Sequence, residues 1–122
     1  MKRKKVVLAY SGGLDTSVSV KWLTEEKNLD VICFSADIGQ GVDRAELSRR
    51  ARASGAKKID IQDLRKEFVR DFIFPTLKSG AVYESKYFLA TALSRPLIAK
   101  ALVAVAKREK ASYIAHGCTG KG

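Results

Sequence analysis

The apolar run Val6-Val7-Leu8-Ala9-Tyr10 ends in Ser11-Gly12-Gly13-Leu14-Asp15-Thr16-Ser17 and passes into a long helix-compatible segment. This stretch constrains the fold more than any other. A short β-branched run closed by adjacent glycines predicts a buried strand, a tight turn and the start of a helix. Glycines in such a turn let a ligand approach the main chain. The first N–H groups of a helix have no intrahelical partner, and with the helix dipole they favour an anion. Ser11, Thr16 and Ser17 add hydroxyl donors. Asp15 is suited either to orient a magnesium ion or polar group, or simply to complement the helix dipole. The stretch is thus predicted to be a phosphate cradle.

The remaining chain repeats the strand–helix alternation. Leu14, Val18, Trp22 and Leu23 form one helical stripe, which predicts that they face inward and that Trp22 is core. Val31-Ile32-Cys33-Phe34 reads as a second buried strand, so the first units form a βαβ motif with parallel strands. Asp43 followed by Glu46 predicts a capped helix start, with Leu47 and Ala51 inside and Gly55 just past the end. Ile59 and Ile61 alternate with polar residues, as in a strand near a sheet edge. Asp63 is a candidate cap for a helix carrying Leu64, Phe68 and Phe72 up to Pro75. Leu77 to Ala90 shows no sustained period. Pro96 suits the first turn of a helix, with Ile98, Leu102, Val105 and Ala106 inward. Tyr113-Ile114-Ala115 predicts a fourth strand, leading to His116-Gly117-Cys118-Thr119-Gly120-Lys121-Gly122. The expected fold is α/β: a doubly wound parallel sheet with helices on both faces, binding ligands at the carboxyl ends of its strands.

Composition narrows the function. The chain has 122 residues, 46% of them hydrophobic, enough for one domain. No apolar run approaches the ~18 residues of a membrane span, and the apolar part of the basic start is too short for a secretory signal. A cytoplasmic location and no membrane partner are expected. Cys33 reads as a small buried hydrophobe rather than half of a disulfide, and no cysteine–histidine pattern suggests zinc or an iron–sulfur cluster. The formal charge of +10 comes from scattered Lys and Arg. Solvated helix faces, including Arg49-Arg50-Arg52, are favoured over a nucleic-acid patch.

The glycine loop is neither G-x-G-x-x-G nor G-x-x-x-x-G-K-[ST]. Ser11-Gly12-Gly13-Leu14-Asp15-Thr16-Ser17 resembles instead the pyrophosphate loop of the N-type ATP pyrophosphatases, which cleave ATP between the α and β phosphates. Further blocks follow in order: Ala36-Asp37-Ile38-Gly39-Gln40, then Tyr83-Glu84-x-x-Tyr87-x-x-x-Thr91-Ala92-Leu93-x-Arg95-Pro96-Leu97-Ile98-Ala99-Lys100, then Ala115-His116-Gly117-Cys118-Thr119-Gly120-Lys121-Gly122. Together these resemble the argininosuccinate synthase family over essentially the whole chain.

That resemblance implies a C–N ligase of arginine biosynthesis and the urea cycle, using ATP with Mg²⁺. It implies ATP contacts by Ala9, Tyr10, Ser11, Gly12, Gly13, Leu14, Asp15, Thr16 and Ser17, by Ala36 and by Gly117. Citrulline contacts would come from Tyr87, Thr91 and Ala92, and an aspartate contact from Thr119. Some members carry serine where this chain has Ala92, which leaves only a backbone contact there. The family is homotetrameric. Residues 1–122 correspond to its nucleotide-binding domain; the Asn-Asp that follows in the family, and the C-terminal synthetase domain, lie beyond Gly122, so the fragment is expected to be inactive alone. No catalytic residue is assigned, and the metal ligands are left open. The alternatives are another pyrophosphate-loop enzyme, such as one modifying tRNA, or a nucleotide- or RNA-binding module without catalysis. Without the resemblance, Tyr83 and Tyr87 read as packing residues, and His116 reads as a turn residue.

Overall fold

A computed structural model describes residues 3–39, 41–73 and 90–116, with the backbone alone for 72–73 and 90–94. In chain order the elements are β1 (Lys5–Ala9), α1 (Leu14–Glu25), β2 (Asp30–Asp37), α2 (Arg44–Ala53), β3 (Lys58–Asp63), α3 (Arg65–Phe68) continued by a π-helical turn (Val69–Ile73), α4 (Ala90–Glu109) and β4 (Tyr113–Ala115). The four strands are all parallel in the order β3-β2-β1-β4. This is the expected doubly wound α/β architecture.

Side-chain alternation along the central strands builds the two layers. Val6 and Leu8 of β1 and Tyr10 just after it, with Val31 and Cys33 of β2, pack against Val20 of α1 and Leu47 and Ala51 of α2. Val7 of β1 and Ile32, Phe34 and Ala36 of β2 face the other way, onto Leu102, Val105 and Ala106 of α4. The thiol of Cys33 sits in the first of these layers, where burial pushes it up to about 12, so it behaves as the small hydrophobe expected.

Local signals are met in α2. Asp43 accepts a hydrogen bond from the Glu46 N–H at 3.1 Å, and Gly55 follows the helix with φ of +109°. Two elements differ from expectation. Of the expected α1 stripe only Leu23 packs against the core; Leu14, Val18 and Trp22 face solvent, with Leu14 80% and Trp22 51% exposed, while Thr16 and Val20 are buried instead. Trp22 is therefore not core. An i, i+4, i+8 stripe identifies one face of a helix but not which side the sheet lies on, and here the β1 turn sets the rotation. Similarly, Pro96 lies inside α4 rather than at its first turn. It leaves the carbonyl of Ala92 without its helical N–H partner, and the adjoining Leu97 is buried. The Leu64–Phe72 segment is α-helical only to Phe68, and Pro75 lies outside the described residues.

The order β3-β2-β1-β4 places β2 and β3 on one side of β1 and β4 on the other. The direction in which strands are added thus reverses at β1, and in open parallel sheets ligands bind beyond the carboxyl ends of the strands at such a reversal.

Candidate phosphate-loop site

The turn after β1 lies at the carboxyl end of this strand. Tyr10 continues the strand, its N–H donating to the Phe34 carbonyl at 2.8 Å. The chain then reverses through Gly12, with φ of +84°, and Gly13 opens α1 as its N-cap residue. A glycine N-cap has no side chain to satisfy the first turn, and no side chain caps α1. α2, by contrast, is closed by Asp43. The first-turn N–H groups of α1 are thus left for an external acceptor, the arrangement that suits a phosphate oxygen.

The hydroxyls of the loop hold its shape. The Gly13 N–H donates to Ser11 Oγ (3.3 Å), Ser11 Oγ and Thr16 Oγ1 are 3.1 Å apart, and Thr16 Oγ1 donates to the Gly13 carbonyl (3.2 Å). Thr16 has one proton and uses it on Gly13, so Ser11 is the donor between the two hydroxyls. The result is a closed ring: Gly13 N–H to Ser11, Ser11 to Thr16, Thr16 to Gly13 C=O. Ser17 is shared with the Tyr10 hydroxyl at 2.9 Å. The hydroxyls of Ser11 and Thr16 thus bond within the loop and help to preorganise it, and that of Ser17 pairs with Tyr10. Asp15 is exposed in the first turn of α1, the negative charge nearest the dipole's positive end.

Two contacts reach the turn from α2. The Cδ1 of Leu47 lies 2.5 Å from where a Cβ on Gly12 would be, so a side chain there requires Leu47 to move. Arg50 Nη1 donates to the Gly12 carbonyl at 3.1 Å. Arg50 is exposed, as a residue of a solvated face, and still reaches the turn. No local signal marks it, because the contact spans 38 residues and exists only once α2 is laid beside α1.

The other expected site residues divide by position. Ala36 lies near the carboxyl end of β2, buried on the α4 face, in a strand that runs past the end of its pairing with β1. Asp37 beyond it accepts from the Gly39 N–H at 2.9 Å and lies 3.8 Å from Arg65. Thr91 and Ala92 are in the first turn of α4. The other end of that helix is tied to the amino end of β1: the Lys5 ammonium donates to the Glu109 carbonyl at 3.1 Å, and Ser112 N–H donates to the Lys5 carbonyl at 3.0 Å. A 20-residue helix is ~30 Å long, longer than the ~17 Å of a five-residue strand. Its start therefore lies at the carboxyl-end side of the sheet, as the turn after β1 does. His116 directly follows β4. Tyr87, Gly117 and Thr119 lie outside the described residues. Among the described residues no cluster of three His, Cys, Asp or Glu could hold a metal, and no helix is long and apolar enough to cross a membrane.

A doubly wound parallel sheet with an uncapped glycine turn at its switch point defines a HUP-type α/β domain built around a phosphate loop. Its fold is similar to that of NAD⁺ synthetase from Burkholderia pseudomallei, with a TM-score of 0.66 at 17% identity over 91% of this chain and 52% of that one. The family described as "Arginosuccinate synthase N-terminal HUP domain" matches residues 5–122. The argininosuccinate synthase of Dictyoglomus turgidum is 61% identical over the whole chain, and the chloroplastic one of Arabidopsis thaliana is 59% identical over 99% of it. The chain belongs to the argininosuccinate synthase family and corresponds to its N-terminal HUP domain. It spans 31% of the length of the Dictyoglomus relative and 25% of the Arabidopsis one.

Proposed function

We propose that the chain binds ATP through the Tyr10–Ser17 loop, as the nucleotide-binding part of an enzyme joining citrulline and aspartate into argininosuccinate. The uncapped α1 N-terminus at the β1/β4 switch point is the observation that carries this reading. Family membership supports the choice of ATP and of the two amino-acid substrates.

In the proposed reaction the citrulline ureido oxygen attacks the α-phosphorus of ATP. The bond to the β-phosphate bridging oxygen breaks, giving citrullyl-adenylate and pyrophosphate. The amine of aspartate then attacks the activated ureido carbon, AMP departs, and the amine loses a proton. Negative charge grows on the leaving pyrophosphate, and N–H donors fixed before the reaction stabilise it without reorganising. The uncapped N–H groups of Leu14, Asp15 and Thr16 at the start of α1 would supply those donors, and the hydroxyl ring keeps the turn before them oriented. Ala9, Tyr10 and Ser17 support the loop from either side. We assign Ala36 and Gly117 to the nucleoside end, Tyr87, Thr91 and Ala92 to citrulline, and Thr119 to aspartate. Mg²⁺ would arrive with the nucleotide, held mainly by phosphates and water; Asp15 is our candidate carboxylate for it, and the ion would offset phosphate charge.

Calorimetric titration with ATP and with inorganic pyrophosphate tests the loop. Both ligands should bind, Asp15→Ala should weaken ATP in the presence of Mg²⁺, and absence of binding by the unmodified chain would refute the assignment. Citrulline-dependent pyrophosphate release by a version extended to the length of the relatives tests the reaction. Tight RNA binding with a steep salt slope and no response to loop substitutions would favour a nucleic-acid module instead.

A further inference from the structure

The peptide between Gly12 and Gly13 is the weak point of the loop. A planar trans peptide points its C=O and N–H in opposite directions. Which way the Gly13 N–H points is therefore decided by where the Gly12 carbonyl is held. Glycine on both sides removes the steric penalty that would otherwise bar this peptide from flipping. The Ser11–Thr16 ring engages the Gly13 N–H only through a 3.3 Å contact. The carbonyl side is gripped from outside the loop, by Arg50 Nη1 at 3.1 Å.

Arg50 is itself held. Its Nε donates to Glu46 Oε1 at 2.8 Å, and the same carboxylate accepts from Arg49 Nη2 at 2.6 Å and Nε at 3.1 Å. Asp43 caps the turn that carries Glu46. From this geometry we infer that Arg50 is a positioning residue for the phosphate loop, fixing the Gly12–Gly13 peptide so that the Gly13 N–H stays on Ser11 Oγ and the ring that orders the turn before α1 stays closed. The inference rests on the ATP-binding reading for its consequence, but the geometry of the peptide can be tested without it. Arg49 is the internal control: it shares Glu46 but does not touch the loop.

The experiment compares the unmodified chain with Arg50→Ala, Arg50→Lys and Arg49→Ala, using amide NMR and titration with ATP and pyrophosphate. In Arg50→Ala the Gly13 amide signal should move and its hydrogen exchange should accelerate about fivefold or more, with β3 amides unchanged. Pyrophosphate and ATP should bind about tenfold more weakly. Arg50→Lys, which keeps a donor, should restore most of both effects, and Arg49→Ala should show neither. A Gly13 amide unmoved in Arg50→Ala overturns the inference even if affinity falls, since charge alone would then explain the loss. Unchanged affinity in Arg50→Ala, when the unmodified chain binds, overturns it as well. If the unmodified chain binds neither ligand, the ATP reading fails and the amide signals alone decide the positioning role. If Arg50→Ala does not fold, Glu46→Ala, which releases the Nε of Arg50, is read by the same criteria.

Discussion

Gly12 is constrained from two directions at once. Its φ of +84° is costly for any residue with a Cβ, and that Cβ would meet Leu47 Cδ1 at 2.5 Å. Gly12→Ala is therefore expected to destabilise the chain by ~2 kcal/mol or more in urea unfolding, combining the left-handed backbone with overpacking. Gly55 separates these two effects: its φ is +109°, but the nearest atom to an added Cβ is 3.8 Å away. Gly55→Ala should cost only the backbone part, ~1–2 kcal/mol. Equal costs at the two positions would argue against the Leu47 contact. Glu46 is held below its ordinary 4.5 by the hydrogen bonds of Arg49 and then Arg50. Its pKa falls on folding, so its contribution to stability is complete above about pH 4.5 and is lost as pH falls through the lower folded value. Asp63, held well below the usual carboxylate range by Arg65, acts in the same sense. Thermal unfolding followed downward from neutral pH should show this loss, and Glu46→Gln should make the dependence shallower.

Among the elements, α1 separates what periodicity can and cannot say. Its helical extent and its start after Gly13 follow from local chemistry. Its rotation does not, because the short turn after β1 aims Thr16 and Val20 at the sheet and leaves Trp22 outside, where the Lys27 ammonium lies 5.1 Å from its ring. Val20→Ala should therefore cost ~1–3 kcal/mol through a buried cavity, while Trp22→Ala should cost under ~1 kcal/mol. Chemical denaturation of both variants checks this, and the reverse ranking would mean that the stripe is buried after all. α2 shows the complementary case. Its cap, its inner residues Leu47 and Ala51 and its end at Gly55 are all legible in sequence. The partner of its Arg50 is not, since nothing near residue 50 points to a carbonyl 38 residues earlier.

At the scale of the whole molecule, the formal charge of +10 meets no compensating acidic face among the described ion pairs, which are mostly exposed. Like-charge repulsion should then outweigh the small contribution of those pairs. Raising ionic strength from ~20 to ~200 mM is expected to raise the melting temperature by a few degrees; a fall would mean that the pairs dominate. The amino-acid sequence by itself determined the strand–helix alternation, the parallel α/β class and the glycine turn between β1 and α1, because each depends on neighbours within a few residues: β-branched runs, adjacent glycines, an Asp three residues before a Glu N–H. The family blocks likewise carry their meaning in order along the chain. Only the tertiary structure decided which face of α1 is wet, that the hydroxyls of Ser11 and Thr16 close a ring with Gly13, and that Leu47 and Arg50 reach Gly12. These depend on how separate elements are rotated and laid against one another, and that information is shared across the sheet rather than written at any one residue.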